Sequence, residues 1–260
     1  MCSIAGILGC SDEEVVVRMN EAQRHRGPDD AGIAACGKVV LGNTRLAIID
    51  TSAAGHQPMQ DPETGNWITY NGETYNFKEL RRELGGAWAS NTDTEVVLRA
   101  YRKWGVDAFR RLRGMFALAI WDDGKQRLIL ARDPLGIKPL YYYAGSDQLI
   151  FASELRALLA SGLVPRQLSA AGLDSYLANG SVAAPLTIVD GVKQLLPGHY
   201  LEVKEAGEFT DIEFAVLRSQ EVPDCRDEAV ARLRAELEES VRAHLVSDVP
   251  LGVFLSGGMD

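Results

Sequence analysis

The chain has few cysteines, no long apolar run and no excess of positive charge, and each absence excludes a class of protein. Its four cysteines, Cys2, Cys10, Cys36 and Cys225, form no CxxC pair and no Cys/His spacing of a metal site. We therefore expect no bound metal and no dependence on disulfides, which favours a reducing compartment. No apolar stretch approaches the ~20 residues that a membrane span requires.

The charge balance and the first residues narrow the class further. Lys and Arg number 27 against 36 Asp and Glu, so the formal net charge is −9 in 260 residues. This acidic balance disfavours nucleic acid and anionic membranes as partners. The opening MCSIAGILGC lacks the basic segment of a secretory signal, so we expect a cytoplasmic protein.

Residues 2–160 read as runs of short strands and runs of helices, not as a strict alternation. This order predicts an α+β fold with antiparallel sheets. Asn71-Gly72 is typical of a hairpin turn, and Ser11 and Thr92 are predicted helix caps. Strands are predicted at 3–9, 32–36, 38–41, 46–49, 67–70, 115–121, 127–131, 140–143 and 149–152.

The pattern changes after residue 160, and we expect 161–260 to form a linker and the truncated start of a second domain. Helices are predicted at 169–178 and 227–245, and an apolar strand at 249–255 runs into Ser256-Gly257-Gly258. A strand that leads into a Gly-rich loop is how a nucleotide-binding α/β domain begins, because the loop N–H groups can hold phosphate. The second helix carries one apolar stripe: Val230, Leu233, Leu237, Val241 and Leu245.

Cys2 is the first candidate for chemistry. If Met1 is removed, Cys2 carries both a thiol and a free α-amine, whose ordinary pKa of about 8 lets it act as a base. A thiol of pKa about 8.5 beside such a base is a competent nucleophile. By position alone, a small apolar residue that opens a buried strand is the favoured interpretation.

Other polar residues have both a structural and a functional interpretation. The Asn71 amide and the Gly72 N–H could donate to one oxygen, as an oxyanion hole requires, or could simply form the turn. Arg45 could hold a carboxylate or be a surface charge. Asp93 could pair with a ligand ammonium group or merely favour the first turn of its helix.

Together these residues resemble the glutamine-hydrolysing asparagine synthetase family, whose N-terminal half is a class II glutamine amidotransferase with an N-terminal nucleophile. The resemblance covers essentially the whole chain. The matching runs are 1–6 (MCSIAG), 24–29 (RHRGPD), 45–50 (RLAIID), 55–59 (GHQPM), 71–76 (NGETYN), 92–95 (TDTE), 113–117 (RGMFA), 132–142 (RDPLGIKPLYY), 151–155 (FASEL) and 256–260 (SGGMD).

The resemblance implies a four-layer αββα fold for residues 2–160, and a glutaminase that needs no cofactor. In it, Cys2 attacks the glutamine side-chain amide and forms a thioester, and Asn71 with Gly72 forms the oxyanion hole. Arg26 belongs to a family motif near the nucleophile. The implied glutamine-binding residues are Arg45, Leu46, Ala47, Ile48, Ile49, Asn71, Gly72, Glu73 and Asp93.

For the second half, the resemblance implies the start of an α/β PP-loop domain that uses Mg-ATP. There, ammonia converts aspartate to asparagine, and most ATP-binding residues and those for aspartate lie beyond residue 260. A relative with another acceptor, such as a β-lactam-forming or antibiotic-modifying enzyme, and a non-catalytic scaffold with Met1 retained stay as alternatives. The family often forms dimers, which allows a homodimer. The implied ATP-binding residues are Phe254, Leu255, Ser256, Gly257, Gly258 and Asp260.

Overall fold

The computed structural model describes residues 1–205, 208–216, 225–255 and 257–258. The strands are β1 Ser3–Leu8, β2 Asp30–Cys36, β3 Val39–Arg45, β4 Met59–Gln60, β5 Trp67–Thr74, β6 Gly114–Asp122, β7 Arg127–Arg132, β8 Tyr141–Ala144, β9 Leu149–Ala152, β10 Val192–Gln194, β11 His199–Glu205 and β12 Glu208–Glu213. The helices are α1 Glu13–Ala22, α2 Phe77–Leu84, α3 Asp93–Trp104, α4 Leu155–Ala160, α5 Ala170–Asn179 and α6 Arg226–His244.

The strands of the described residues form two antiparallel sheets of six strands each. The first sheet has the order β10-β8-β9-β1-β3-β2 and the second β12-β11-β7-β6-β5-β4. Strand β1 lies inside the first sheet between β9 and β3, so the chain enters the core within its first residues. The predicted antiparallel α+β fold is confirmed.

Alternation along the strands divides the apolar side chains among three clusters, because successive residues of a strand point to opposite faces. Ile4 of β1 and Trp121 of β6 belong to a cluster shared by both sheets. Ile7 packs in a cluster with residues of α1 and α4, and Leu118 in one with α2 and α3. Helices therefore cover the outer face of each sheet, and the four-layer αββα order is confirmed.

Two predicted strands and one predicted turn are wrong. Residues 46–49 form a loop that follows β3, and residues 249–255 form no strand. Asn71 and Gly72 lie inside β5, opposite Ala117 and Phe116 of β6. Gly72 is needed because a Cβ there would approach the Met115 carbonyl oxygen to 2.5 Å, not because the chain turns.

The helix caps agree with the sequence in one case and differ in another. Thr92 caps α3, since its hydroxyl accepts from the Glu95 N–H at 3.2 Å. Helix α1 is capped by Asp12, whose carboxylate accepts from the Glu14 N–H at 3.0 Å, and not by the predicted Ser11. A carboxylate is favoured over a hydroxyl at this position because its negative charge interacts well with the helix N-terminus.

The sheets continue past residue 160. Strand β10 pairs with β8, β11 pairs with β7, and β12 pairs with β11. The predicted domain boundary near residue 160 therefore falls within the two sheets and not after them. We use "sandwich" below for the two sheets with helices α1 to α4.

The region after the sandwich consists of α6 and the residues that follow it, which we call the C-terminal segment (225–255 and 257–258). The predicted helix is confirmed, but all five residues of its apolar stripe are exposed, from 49% at Val230 to 60% at Leu233. Its last turn touches the sandwich, where the His244 ring lies 4.2 Å from that of Tyr75. In the described part of the chain, no helix has the length and apolar character of a membrane span.

Candidate active site at the open edge of strand β5

The second sheet has an open edge beside the polar residues of β5. Strand β4 pairs only with Trp67 and Ile68, so the rest of β5 lacks a neighbouring strand on that side. The Tyr70 N–H donates there to Gln57 Oε1 at 2.7 Å, and the Thr74 N–H to Asp93 Oδ2 at 2.8 Å. Gly72 lies midway between them, and alternation points its N–H to the same side.

A small cavity of about 60 Å³ opens at this edge. The cavity brings residues near the N-terminus together with residues at the start of α3. It contains nearly all of the predicted glutamine-binding residues. Ala47 is the exception, since its N–H donates instead to Asp29 at 2.9 Å. The lining residues are Met1, Cys2, Arg45, Leu46, Ile48, Ile49, Gln57, Tyr70, Asn71, Gly72, Glu73, Thr92, Asp93, Thr94 and Lys138.

The described members of the predicted ATP-binding set, Phe254, Leu255, Gly257 and Gly258, do not line this cavity. Phe254 and Leu255 are fully or almost fully exposed, and Gly257 has no atom within 4 Å of an added Cβ. Ser256 and Asp260 lie outside the described residues. Residues 249–255 form no strand ahead of Gly257 and Gly258, and the ATP-binding role of this segment stays a prediction.

Cys2 is held just before β1 by main-chain contacts. Its Sγ lies 3.4 Å from the Leu46 nitrogen and 3.5 Å from the Leu46 oxygen. Its carbonyl oxygen accepts from Arg26 Nε at 3.1 Å, and Arg26 also pairs with Glu154 at 3.2 Å. Burial is the main cause that raises the pKa of the Cys2 thiol.

Met1 precedes the thiol and lines the same cavity. Its ammonium group donates to the Arg26 carbonyl oxygen at 2.8 Å. The nitrogen of Cys2 is therefore an amide, which cannot accept a proton, while Met1 is attached. Burial lowers the pKa of the terminal ammonium group, which favours a neutral amine at this position.

Asn71 places a buried amide in the cavity that Cys2 also lines. Its Nδ2 donates to Ser153 Oγ over a long 3.5 Å, and Ser153 Oγ also accepts from the Ile4 N–H at 3.0 Å. The Asn71 Oδ1 atom accepts no hydrogen bond from the described residues. The amide is thus fixed by the strand but weakly engaged, which leaves it free to serve a ligand.

Arg45 supplies a buried cation to the same cavity. Its guanidinium donates to the carbonyl oxygens of Ile49 and Ser52 at 3.1 and 3.2 Å. No carboxylate of the described residues forms an ion pair with it, although only 6% of the residue is exposed. The pKa of the Asp50 carboxyl group is lowered mainly by its hydrogen bond with Ser52 and in part by the charge of Arg45. No carboxylate of the described residues contacts the guanidinium directly, so the cation can accept an anionic ligand group.

Two carboxyl groups, those of Glu73 and Asp93, line the same cavity as that cation. Burial raises the pKa of Asp93 to about 6, and the hydrogen bond from the Thr74 N–H opposes that rise. Burial also raises the pKa of Glu73, opposed by the charge of Lys138. A cavity lined by a guanidinium and by two carboxyl groups suits a ligand with both a carboxylate and an ammonium group, such as a free amino acid.

Lys138, Gln57 and Ser153 also contribute to the site and were not predicted as site residues. The loop that carries Lys138 is fixed by Asp133, which accepts from the Lys138 N–H at 3.0 Å, and by Arg132, which donates to the Lys138 carbonyl oxygen at 2.7 Å. Burial lowers the pKa of Lys138. The only sequence signal was the run 132–142, which matched without indicating a role for the lysine.

Comparisons with known proteins show the family to which the chain belongs. A family model described as "Glutamine amidotransferase domain" matches residues 1–213, and one described as "Asparagine synthase" matches 232–260. A Bacillus subtilis protein named asparagine synthetase [glutamine-hydrolyzing] 1 is 37% identical over the whole chain. Amidase chry2 of Gibberella zeae is 36% identical over 91% of the chain.

The relatives are longer than this chain, which spans 42% of the first Bacillus protein and 36% of the amidase. Among solved structures, a glutamine phosphoribosylpyrophosphate amidotransferase from B. subtilis superposes with a TM-score of 0.64 at 20% identity, over 83% of this chain and 50% of that one. That likeness concerns the fold. Since the first family model covers most of the chain, the protein belongs to the family with a glutamine amidotransferase domain.

Proposed function

We propose that this chain hydrolyses the side-chain amide of glutamine to glutamate and ammonia, with Cys2 as the nucleophile after Met1 is removed. One observation carries the proposal: a partly buried thiol, an amide whose Nδ2 makes only one long hydrogen bond, a buried guanidinium and two carboxyl groups line one cavity. Their charges match the α-carboxylate and α-ammonium groups of glutamine. The family and its glutamine-hydrolysing relatives support the same substrate.

The proposed reaction uses the chemistry of these groups. The Cys2 sulfur attacks the amide carbon, and the proton of the thiol passes to the freed α-amine. Asn71 Nδ2 and the Gly72 N–H donate to the oxygen that becomes negative. The C–N bond then breaks, the α-ammonium returns a proton to the leaving nitrogen, and ammonia departs, leaving a thioester. Water attacks the thioester, the sulfur leaves, and glutamate is released.

Substrate is held through its α-carbon groups. Arg45 binds the α-carboxylate, and Glu73 with Asp93 binds the α-ammonium group. The rest of the proposed glutamine pocket is lined by apolar residues of one loop, namely Leu46, Ile48 and Ile49. Asparagine is one methylene shorter, so it cannot reach both the thiol and this clamp, and the site selects glutamine by length.

We also propose that the glutaminase domain extends to about residue 213 and not to residue 160. Strand β12 ends at Glu213, and the amidotransferase family model ends at the same residue. The C-terminal segment then begins the synthetase domain, which the match over 232–260 supports. In a protein of the relatives' length, that domain would use Mg-ATP and ammonia to amidate aspartate.

Another acceptor is the second candidate for that longer protein. The likeness to the fungal amidases is nearly as high as that to the asparagine synthetases, 36% against 37%. The glutaminase half would be the same in both cases. Release of ammonia from glutamine tests the shared half, and incubation of a full-length protein with ATP and aspartate separates the two acceptors.

The nucleophile is tested by replacing one cysteine in each region. Cys2→Ala is expected to lower glutamate release by at least about 1,000-fold, because no other group can form the thioester. Cys225→Ala is the matched control, since Cys225 is exposed and starts α6. Equal activity of both variants would refute Cys2 as the nucleophile.

A further inference from the structure

The loop 46–52 forms one wall of the cavity but is not part of a sheet. It leaves β3 at Arg45 and reaches the cavity with Leu46, Ile48 and Ile49. Arg45 reaches over the loop to the carbonyl oxygens of Ile49, Asp50 and Ser52. The position of the cation and the shape of this wall therefore depend on the same few hydrogen bonds.

Asp50 has an unusual backbone conformation in this loop. Its φ of 51° lies in the left-handed region, which it shares only with Gln126 among the described residues other than glycine. Such a conformation costs free energy and persists only where several contacts determine it. The Asp50 carboxylate accepts from the Asn91 N–H at 2.7 Å and from the Ser52 N–H at 3.2 Å.

The remaining polar group of Asp50 is its N–H, and its partner comes from outside the sandwich. It donates to Asp248 Oδ2 at 2.8 Å, and the Asp248 N–H donates in return to the Ile48 carbonyl oxygen at 3.0 Å. Asp248 thus holds the loop at two points that flank Ile49.

The segment that carries Asp248 is itself fixed in place. Val246 packs against the same apolar cluster as Ile49. Ser247 Oγ accepts from the Val249 N–H at 3.1 Å and donates to the Val249 carbonyl oxygen at 3.0 Å. The carboxylate of Asp248 is therefore presented to Asp50 by a defined backbone and not by a free chain end.

We propose that Asp248, although it lies in the C-terminal segment, is a positioning residue for the glutamine pocket of the sandwich. It holds residues 48–50 in the conformation that places Arg45 and the Ile48–Ile49 wall around the substrate. The proposal rests on the proposed glutaminase function. It implies that a residue just before the Gly-rich loop sets the affinity for glutamine, while Cys2 and Asn71 set the rate of the reaction.

The test is the steady-state kinetics of glutamate release by the 260-residue chain and three variants. Asp248→Ala removes the acceptor and is expected to raise KM for glutamine roughly threefold to tenfold, as the loss of one net hydrogen bond predicts, with kcat unchanged. Asp248→Asn keeps an acceptor oxygen and is expected to restore KM. Asp174→Ala is the matched control, because Asp174 is exposed on α5 and the charge change is the same.

The labelling rate of Cys2 by iodoacetamide separates positioning from general damage, since that reagent does not use the glutamine clamp. We expect the same rate in all four proteins. An unchanged KM in Asp248→Ala, a fall in kcat alone, or a changed iodoacetamide rate would overturn the role of Asp248. Absence of glutamate release from the unaltered chain would instead overturn the proposed function itself.

Discussion

Helix α3 has 12 residues and buries eight of them, whereas α6 has 19 residues and buries none. Both carry apolar residues at helical spacing. The stripe of α3 packs on β5 and β6 through Val97 and Tyr101, but the stripe of α6 stays exposed from Val230 to Leu245. Periodicity therefore predicts a helix and its apolar face, but the partner of that face must come from another segment.

The same contrast separates the two candidate sites. The candidate glutamine site is built by strands that pair with neighbouring strands and by a helix that packs on them. Its polar groups line one cavity. The Gly-rich site stands on residues 249–255, where the predicted strand is absent and Val253 and Phe254 are exposed. A strand needs neighbours to pair its backbone, and an isolated apolar run has none.

The largest expected effect is on the free energy of unfolding, and it is tested by replacing one leucine in each region. Leu118→Ala, in a fully buried position of β6, is expected to lower the free energy of unfolding by about 2–5 kcal/mol. Leu237→Ala, 56% exposed on α6, is expected to change it by less than about 0.5 kcal/mol. Urea unfolding followed by tryptophan fluorescence measures both. Similar losses would mean that α6 is covered in the 260-residue protein and would break the comparison.

A smaller effect is expected at the oxyanion position. Asn71→Ala is expected to lower kcat by about 100-fold to 1,000-fold, because the amide acts on a charge that develops only during the reaction. KM for glutamine should change little. Ser240→Ala on α6 serves as the control from the C-terminal segment and should leave both constants unaltered. A pure rise in KM in Asn71→Ala would reassign Asn71 to substrate binding.

The smallest predicted effect concerns pH and compares two aspartates that both lie in the first turn of a helix. Asp93 is buried with a pKa of about 6, so it gains a proton as the pH falls through 6 and can no longer pair with an ammonium group. In the Cys2→Ala protein, the Kd for glutamine should rise about tenfold from pH 7 to pH 5, as linkage requires. Titration calorimetry measures it.

Variants in that background test the assignment. Adding Asp93→Asn should abolish the rise in Kd, because the side chain no longer ionises. Adding Asp227→Asn, in the exposed first turn of α6, should leave the rise intact. A rise that survives Asp93→Asn would assign the pH dependence to another group, with Glu73 the next candidate.

Much of the fold could be predicted because alternation and helical spacing report burial directly. Strands β6, β7 and β9 agree with the sequence to within a residue or so at each end. The Asn71-Gly72 turn could not be predicted correctly, because local turn preference was outweighed by pairing with β6 over eight residues. The register of a sheet is a property of two strands, and one strand's sequence does not contain it.

The residues that bind and react could be predicted from the sequence, but the residues that position them could not. Family motifs indicated the thiol, the amide and the clamp residues, and the cavity contains all of them except Ala47. Lys138 lines it from a distant loop, Ser153 accepts a hydrogen bond from Asn71, and Asp248 contacts Asp50 across 198 positions of sequence. Such contacts depend on tertiary packing, and no local pattern marks them.

The most direct test of the central claim is the intact mass of the purified chain before and after treatment with 6-diazo-5-oxo-norleucine, a glutamine-like alkylating agent. We expect a mass that lacks Met1 and then a single adduct, which peptide mapping places on Cys2. That result would join the nucleophile and the glutamine clamp in one experiment. A chain that keeps Met1 and takes up no label would contradict the glutaminase account and favour a non-catalytic scaffold.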